Sequence, residues 1–349
     1  MFSQKQIICT LFDHRYMSRG LCMISSLRRN GSNHEVWVLC LSSQARHAME
    51  ALALPGVRMI ELSDLENHIP ALLTARANRP LLEYYFTCMA ALHRYLFDVV
   101  PQAECTMYVD ADIQFFANPD IVFDAIGDAP AAITPHNFIE RDRARLERYG
   151  IYNAGWTSFR RTPEGEKVLN WWLERSIEWC FDRFDGDRYA NQGYLNHFKE
   201  IAPDTKILRQ KGFNCGPWNL GQYRVSLRGS TIYLDEDPLV FFHFHAVRNV
   251  WRYFYFNGHR NYRAPLTRLT RNRLYRPYVA ELIANEAIVS AHLPKSNAPL
   301  KVGRDRVKAR VPLSWKRIKE ILTPARHAAR RIADVLSGRT IFVFGRQVW

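Results

Sequence analysis

Four side chains in this 349-residue sequence have the types and spacing to hold a metal ion. Asp110 and Asp112 lie one residue apart in the apolar run CTMYVDADIQFF (Cys105–Phe116), and His243 and His245 lie one residue apart in LVFFHFH (Leu239–His245). Burying an unpaired carboxylate is costly, so acids that close an apolar strand require a cation, a salt bridge or exposure at the strand end. In an extended chain, residues two apart point to the same side with Cα atoms about 7 Å apart, so each pair can serve one ligand. Carboxylate oxygens suit Mg²⁺ or Mn²⁺, and an imidazole among them favours Mn²⁺. An ion held this way suits a diphosphate, whose oxygens it bridges and whose charge it stabilises on departure. The same residues also fit an exposed acidic turn and two histidines satisfied by their neighbours; the residues alone leave both open.

The elements that position these side chains follow from the hydrophobic pattern. Short apolar runs at Gln6–Asp13, Glu35–Ser42 and Val57–Leu65 read as buried strands. Between them, Arg19–Gly31 has Leu21, Ile24 and Leu27 at helical spacing with a glycine at its end, and Gln44–Leu54 is a helix stopped by Pro55-Gly56. Arg79–Pro101 is a long helix leading into the strand Cys105–Phe116, and Thr162 caps a helix with Pro163 at its first position. Trp171, Trp172 and Trp179 on that last helix read as packing. Alternating strands and helices predict an α/β fold with a mostly parallel sheet flanked by helices, and ligands of such sheets bind at the carboxyl ends of the strands, where the two acids fall.

The chain is 47% hydrophobic and 23% charged, a globular composition. Seven scattered cysteines, without a CxxC pair, predict buried thiols in a reducing compartment. The N-terminal stretch has no long apolar segment of the kind a signal peptide needs, and no run is long enough to span a bilayer. The net charge of +14 is concentrated in residues 251–349, with 21 Lys/Arg against 5 acids, while the remainder is close to neutral. In that third, LSWKRIKEILTPARHAARRIADVLSG carries Trp315, Ile318, Leu322, Ala329, Ile332 and Leu336 on one helical stripe with basic residues largely off it. The pattern fits a helix on a membrane surface or a partner, and equally one docked on its own domain. Nucleic-acid binding is disfavoured: the charge is confined to the tail and the aromatic residues lie in core-like runs with no basic stacking platform. Neither GxGxxG nor GxxxxGK[ST] occurs.

The segments YVDADIQFF, YNAGWTSFRR, ANQGYLN, GFNCGPWNL and FFHFHAVR, in this order, resemble those of GT-A nucleotide-diphospho-sugar glycosyltransferases, most of all glycosyltransferase family 8 and related bacterial transferases of surface-polysaccharide clusters. The resemblance covers roughly Gln6 to Arg248. It implies a GT-A (Rossmann-like) catalytic domain at 1–260, followed by a basic, mostly helical extension at 261–349. It places Thr10, Leu11, Phe12 and Asp13 along the nucleotide, with Tyr16 stacking on the base. Asp110 then faces the ribose and the metal, and Asp112 ligates the metal. His243 matches the metal-binding histidine, and His245 is in phase with it. Ala246 stands where the family has glycine, and Arg248 is the nearest substitute for a phosphate-binding lysine. Asn153, Ala154 and Gly155 match a segment whose asparagine touches the donor sugar and whose glycine allows close approach. Asn191-Gln192 stands where the family reads Asp-Gln. Gln192 is then expected on the β face of the donor, giving electrostatic support, since an amide is a poor nucleophile. Asn214, Pro217 and Trp218 are expected to shape the donor or acceptor pocket.

The resemblance thus implies a Mn²⁺- or Mg²⁺-dependent enzyme moving a sugar, with retention, from a UDP-sugar to a bacterial glycan or lipid-linked acceptor. The expected location is the cytoplasm, peripheral on the inner face of the plasma membrane through the basic tail, with no nucleic-acid partner. Asn191, in place of a carboxylate, also fits a non-catalytic nucleotide-sugar-binding or scaffold protein of the same fold.

Overall fold

Period-two burial on both sides explains why the strands read as unbroken apolar runs. Along the first strand, β1 (Ser3–Phe12), Ile7 and Cys9 enter one core layer while Ile8 and Phe12 enter the opposite one. The same alternation runs through β2 (His34–Cys40) and, after β3 (Val57–Glu61), through β4 (Cys105–Val109). The structure, a computed structural model, describes residues 3–251, 254–262, 264, 266–293, 340–344 and 347–348. The amphipathic segment expected at 313–338 lies outside the described residues.

Helix α1 (Met17–Arg29) follows β1, α2 (Ser43–Leu52) follows β2, and α3 (Leu62–His68), α4 (Ala71–Asn78) and α5 (Leu81–Val99) lead to β4. A short strand, β5 (Ile113–Phe115), comes next, then α6 (Asp120–Ile126), β6 (Ala131–Pro135), α7 (Arg145–Tyr149), β7 (Tyr152–Arg160) and α8 (Pro163–Glu178). Among the described residues the central sheet has seven strands: Lys206–Ile207 at one edge, then β6, β7, β4, β1, β2 and β3. All neighbouring pairs are parallel except those of β7, which is antiparallel to both β4 and β6. Helices α4, α5 and α8 cover one face and α1, α2 and α6 the other. The expected mixed, mostly parallel α/β fold is thus the one observed.

Local chemistry sets several boundaries. Gly31, at φ 81°, ends α1 in the left-handed region that a glycine adopts freely. Thr162 caps α8 by accepting from the backbone of Gly165, as its position predicts. The third strand is shorter than its apolar run implies. Glu61 and Asp64 form a reciprocal capping box that starts α3 at Leu62 and converts the end of the run to helix. The seven cysteines are free and buried, and Trp172 and Trp179 are packed in the core. Among the described residues, no helix is long and apolar enough to cross a membrane.

The described part of the C-terminal third packs against the earlier chain. The helix Arg276–His292 lies on α1, with Arg29 forking onto Glu281 at 2.6 and 2.9 Å and Asn285 Nδ2 3.2 Å from Cys22 Sγ. Its Tyr278 stacks on Phe244 at 3.8 Å between ring centroids, 6° from parallel. Leu274, Tyr275, Tyr278, Val279 and Leu282 share one apolar cluster with Cys22, Phe242 and Phe244. The strand Thr340–Phe344 pairs with Phe254–Phe256.

A buried histidine gives the core a pH dependence. His93 of α5 is fully enclosed, with Nδ1 2.8 Å from Thr106 Oγ1 and Nε2 3.1 Å from Thr157 Oγ1. Burial pushes its pKa down to about 3. The unfolded chain takes up this proton near pH 6.5, so the folded state loses stability as pH falls from about 6.5 towards 3, by about 1.4 kcal/mol per unit, and is unaffected above that window. Denaturant titrations at pH 7, 6 and 5 are expected to show this slope, reduced by one proton's worth in His93→Gln. An unchanged slope in the variant would assign the uptake elsewhere.

Candidate metal and nucleotide site

The acids sit at the carboxyl end of β4, but not on one strand. The run Cys105–Phe116 is split: β4 ends at Val109, and Asp110 to Asp112 form a turn before β5. The Ile113 N–H donates to Asp110 O at 3.0 Å to close that turn. Convergence of the acids is therefore a property of the turn and of what packs on it. The strand Phe241–His243 pairs antiparallel with β5, setting His243 opposite Ile113, and the Phe244 N–H donates to Asp112 O at 2.8 Å. Alternation along FFHFH does the rest. Phe242 and Phe244 turn to the C-terminal helix, and His243 and His245 turn to the acids.

Ligand atoms of Asp112, His243 and His245 lie within 4.8 Å of one another. Asp112 Oδ1 is 2.9 Å from His243 Nε2, and Asp110 Oδ2 is 3.7 Å from the same nitrogen. Asp110 is drawn back by Tyr108, whose hydroxyl donates to its Oδ1 at 2.7 Å. The two acids are electrostatically unlike. Burial raises the pKa of Asp110. Burial pushes Asp112 the same way, but the charge and hydrogen bond of His243, with the charges of His245 and Arg19, together outweigh it and hold Asp112 at about 2. Reciprocally, burial opposes the charged form of His243 while Asp112 restores it and raises its pKa overall. His243 Nδ1 is buried without a hydrogen-bond partner. One carboxylate and two imidazoles form an oxygen–nitrogen set that fits Mn²⁺ better than Mg²⁺.

Gly155 of β7 closes the site from the sheet side. A Cβ there would lie 2.7 Å from Asp110 Oδ2, 2.7 Å from Asn153 Oδ1 and 2.8 Å from His243 Cε1, so the three side chains converge on a backbone that only glycine allows. Asn153 Oδ1 accepts from the Gly155 N–H at 2.9 Å, and its Nδ2 donates to His136 Nε2 at 3.2 Å. His136 in turn faces Gly150 O through Nδ1 at 3.1 Å, and burial lowers its pKa to about 4, which keeps the ring neutral. His136 O accepts from Trp218 Nε1 at 2.8 Å and from Asn219 Nδ2 at 3.0 Å. Trp218 then stands edge-on to His243 and His245, at 5.1 and 5.9 Å between centroids.

The remaining expected site residues fall as follows. Thr10 is fully buried at the end of β1, with no partner for its hydroxyl. Leu11 is half-buried, and the Phe12 ring lies in the core beneath Gly20. Asp13 Oδ1 accepts from the backbones of Arg15 and Tyr16, fixing the turn into α1. The Tyr16 ring is 48% exposed, on the side of the site, where burial and the charges of Asp112 and Asp110 raise its hydroxyl pKa. Gln192 is committed at both ends of its amide: Oε1 accepts from the Ala154 N–H at 3.0 Å and Nε2 donates to Tyr149 O at 2.7 Å. Asn191 is buried and turned to α5, donating to Phe86 O at 3.0 Å with Met89 Sδ also at 3.0 Å. Asn214 has one amide oxygen buried without a partner, and Arg248 is exposed, 4.8 Å over the Phe256 ring.

Asn137, Ala190, Asn214 and Ala246, each one of the residues named above or next in sequence to one, adopt left-handed backbone, and for the two alanines this conformation is strained. The sequence reading missed His136 and also Arg19, whose Nη2 donates to Val247 O at 2.8 Å, two residues after His245. Arg19 carried a signal: a cation in the first turn of a helix opposes the helix dipole. His136 carried none, because its role comes from Asn153, which only the β6–β7 pairing brings near it.

No family model matches the chain. Two uncharacterized proteins of Bacillus subtilis (strain 168) are similar to it. YfnF is 26% identical over 249 residues, spanning 69% of this chain and 82% of its own, and YfnD is 27% identical over 237 residues, spanning 67% and 76%. Among solved structures, the galactosyltransferase LgtC in complex with donor and acceptor sugar analogues aligns over 77% of this chain and all of its own, at 17% identity and a TM-score of 0.47. Mouse xyloside xylosyltransferase 1 aligns over 60% of this chain and 87% of its own, at 14% identity and a TM-score of 0.41. The solved structures to which this chain is similar are glycosyltransferases, at a distance that carries no activity over to it.

Proposed function

We propose that the chain is a metal-dependent glycosyltransferase that moves a sugar from a nucleotide diphosphate, UDP foremost, to a bacterial glycan or lipid-linked acceptor with retention of configuration. The observation that carries this reading is the meeting of Asp112, His243 and His245 at the carboxyl edge of a mostly parallel sheet, over a glycine that admits close approach. In this reading Asp112, His243 and His245 hold the divalent ion, with Asp110 beside them facing ribose and metal. A bound Mn²⁺ supplies the charge that stabilises the departing diphosphate. Thr10 to Asp13 line the nucleotide, Tyr16 stacks on its base, and Arg248 offers a forked contact to phosphate. Asn153 and Gly155 set the donor sugar close to the sheet. Gln192, locked between Ala154 and Tyr149, presents a fixed amide dipole to the sugar. Residues 1–260 supply this surface, and the helix of the 261–349 extension braces the histidine strand from behind.

Thermal melts with Mn²⁺ and a panel of nucleotides and nucleotide sugars test the reading. A ligand at about 100 times its dissociation constant adds about 2.7 kcal/mol. A Mn²⁺-dependent shift confined to one nucleotide family, followed by transfer or slow hydrolysis of that donor, is the expected result; no shift with any nucleotide would sink it. The placement of Asn191 favours one other reading, a nucleotide-sugar-binding or scaffold protein, because its side chain is spent on α5. Turnover of the donor separates the two. The basic tail would hold the enzyme at an anionic membrane, at about 1 kcal/mol per well-placed Lys or Arg. Flotation with anionic liposomes is expected to need residues 301–349, and equal flotation without them would refute that role.

A further inference from the structure

Arg19 is a buried cation where packing alone disfavours one. It is the third residue of α1 and only 6% exposed, and the first turn of that helix carries no acid. The positive end of the helix dipole repels it, and burial adds a desolvation cost. Two contacts hold it in place. Its Nη2 donates to Val247 O at 2.8 Å, and its Cζ lies 4.6 Å from the centroid of the Tyr16 ring. Val247 follows Ala246, the strained residue after His245. Asp112 at the site and Glu286 on the C-terminal helix are the carboxylates whose charge reaches it. Arg19 therefore stands between the ring expected to stack on the base and the turn that follows the two histidines.

We propose that Arg19 is a positioning residue for a nucleoside diphosphate, locking Tyr16 to the Ala246–Val247 turn so that the base end and the metal end of one ligand are held at fixed spacing. This rests on the glycosyltransferase reading. It has a consequence that a purely structural role lacks: two affinities move in opposite directions. A fixed cation near Asp112 opposes Mn²⁺ and favours a diphosphate. In Arg19→Met, Mn²⁺ alone is expected to bind about 3-fold more tightly, while UDP at saturating Mn²⁺ binds about 10-fold more weakly. Arg19→Lys keeps the charge but loses the planar group over Tyr16 and the Nη2 donor to Val247 O, so Mn²⁺ affinity holds and UDP binding weakens about 3-fold.

Titration calorimetry of Mn²⁺ alone, then of UDP in saturating Mn²⁺, reads both affinities, with circular dichroism melts to show that each variant is folded. Opposite shifts in Arg19→Met support the proposal. UDP affinities within twofold across the three proteins overturn it, and so does a parallel loss of both affinities with a lowered melting temperature. If Arg19→Met does not fold, Arg19→Lys decides: weakened UDP binding with unchanged Mn²⁺ binding supports the proposal, and wild-type UDP affinity overturns it. A wild type that binds no UDP in Mn²⁺ refutes the UDP-transferase reading and this inference together, whereas flat variants beside a binding wild type refute this inference alone.

Discussion

Asp112→Asn is expected to abolish the Mn²⁺-dependent stabilisation by nucleotide and to lower turnover of the donor by at least about 10³-fold, or about 4 kcal/mol of transition-state stabilisation. The size follows from the charge that is lost. Asp112 is largely buried, yet His243 at 2.9 Å, together with the charges of His245 and Arg19, holds its pKa at about 2, so at neutral pH it is an anion fixed beside two imidazoles. Asparagine has the same shape and keeps a hydrogen-bonding oxygen, but it removes the one charge in the set that attracts a cation. Asp110 does not replace it, because burial favours its neutral form and Tyr108 draws one of its oxygens away. The measurement is a melting curve with and without Mn²⁺ and nucleotide, beside a donor-consumption assay. A variant that melts cooperatively but shows no nucleotide shift is the expected outcome. A variant that keeps the shift would move the metal away from Asp112.

Gly155→Ala is expected to cost about 100-fold in turnover and about 1–3 kcal/mol in stability, without removing any polar group. The added methyl meets Asp110 Oδ2, Asn153 Oδ1 and His243 Cε1, all at 2.8 Å or less. Each of the three is tethered to its neighbours. Asp110 N donates to Gly155 O itself at 2.8 Å, Asn153 is tied to His136, and His243 is locked in the pair with β5. The strain must therefore be shared between the β4–β7 pairing and the positions of the site side chains. Denaturant unfolding and donor-dependent kinetics check the two numbers separately. Activity within threefold of wild type would mean that these groups can spread without consequence, and that the close approach at Gly155 serves packing.

The sequence by itself determined the parts whose causes are local. Both faces of the sheet are covered, so β1, β2 and β4 appear as apolar runs that periodicity reads directly. Gly31 and Thr162 mark helix ends through single-residue chemistry. The phase of His243 and His245 is likewise local, because alternation along FFHFH fixes which residues share a face. Where two local signals compete, the sequence was less decisive. The apolar run after Val57 reads as strand to Leu65, but the Glu61–Asp64 capping box turns its second half into helix.

Only the tertiary structure decided which of these residues meet. Asp112 and His243 are far apart in the chain, and they touch because a turn splits the run Cys105–Phe116, freeing β5 to pair with Phe241–His243 outside the main sheet. The same holds for Gln192, whose amide is committed to Ala154 and Tyr149, and for Asn191, which faces α5. The commitments of Arg19 and His136 are longer in range still, to Val247 and Asn153. Hydrophobic pattern reports which side of an element is apolar, and the phase of that side is set by the local periodicity of the chain. A hydrogen bond or ion pair depends on a partner of complementary chemistry at about 3 Å, and that partner is chosen by strand pairing and helix packing between distant segments.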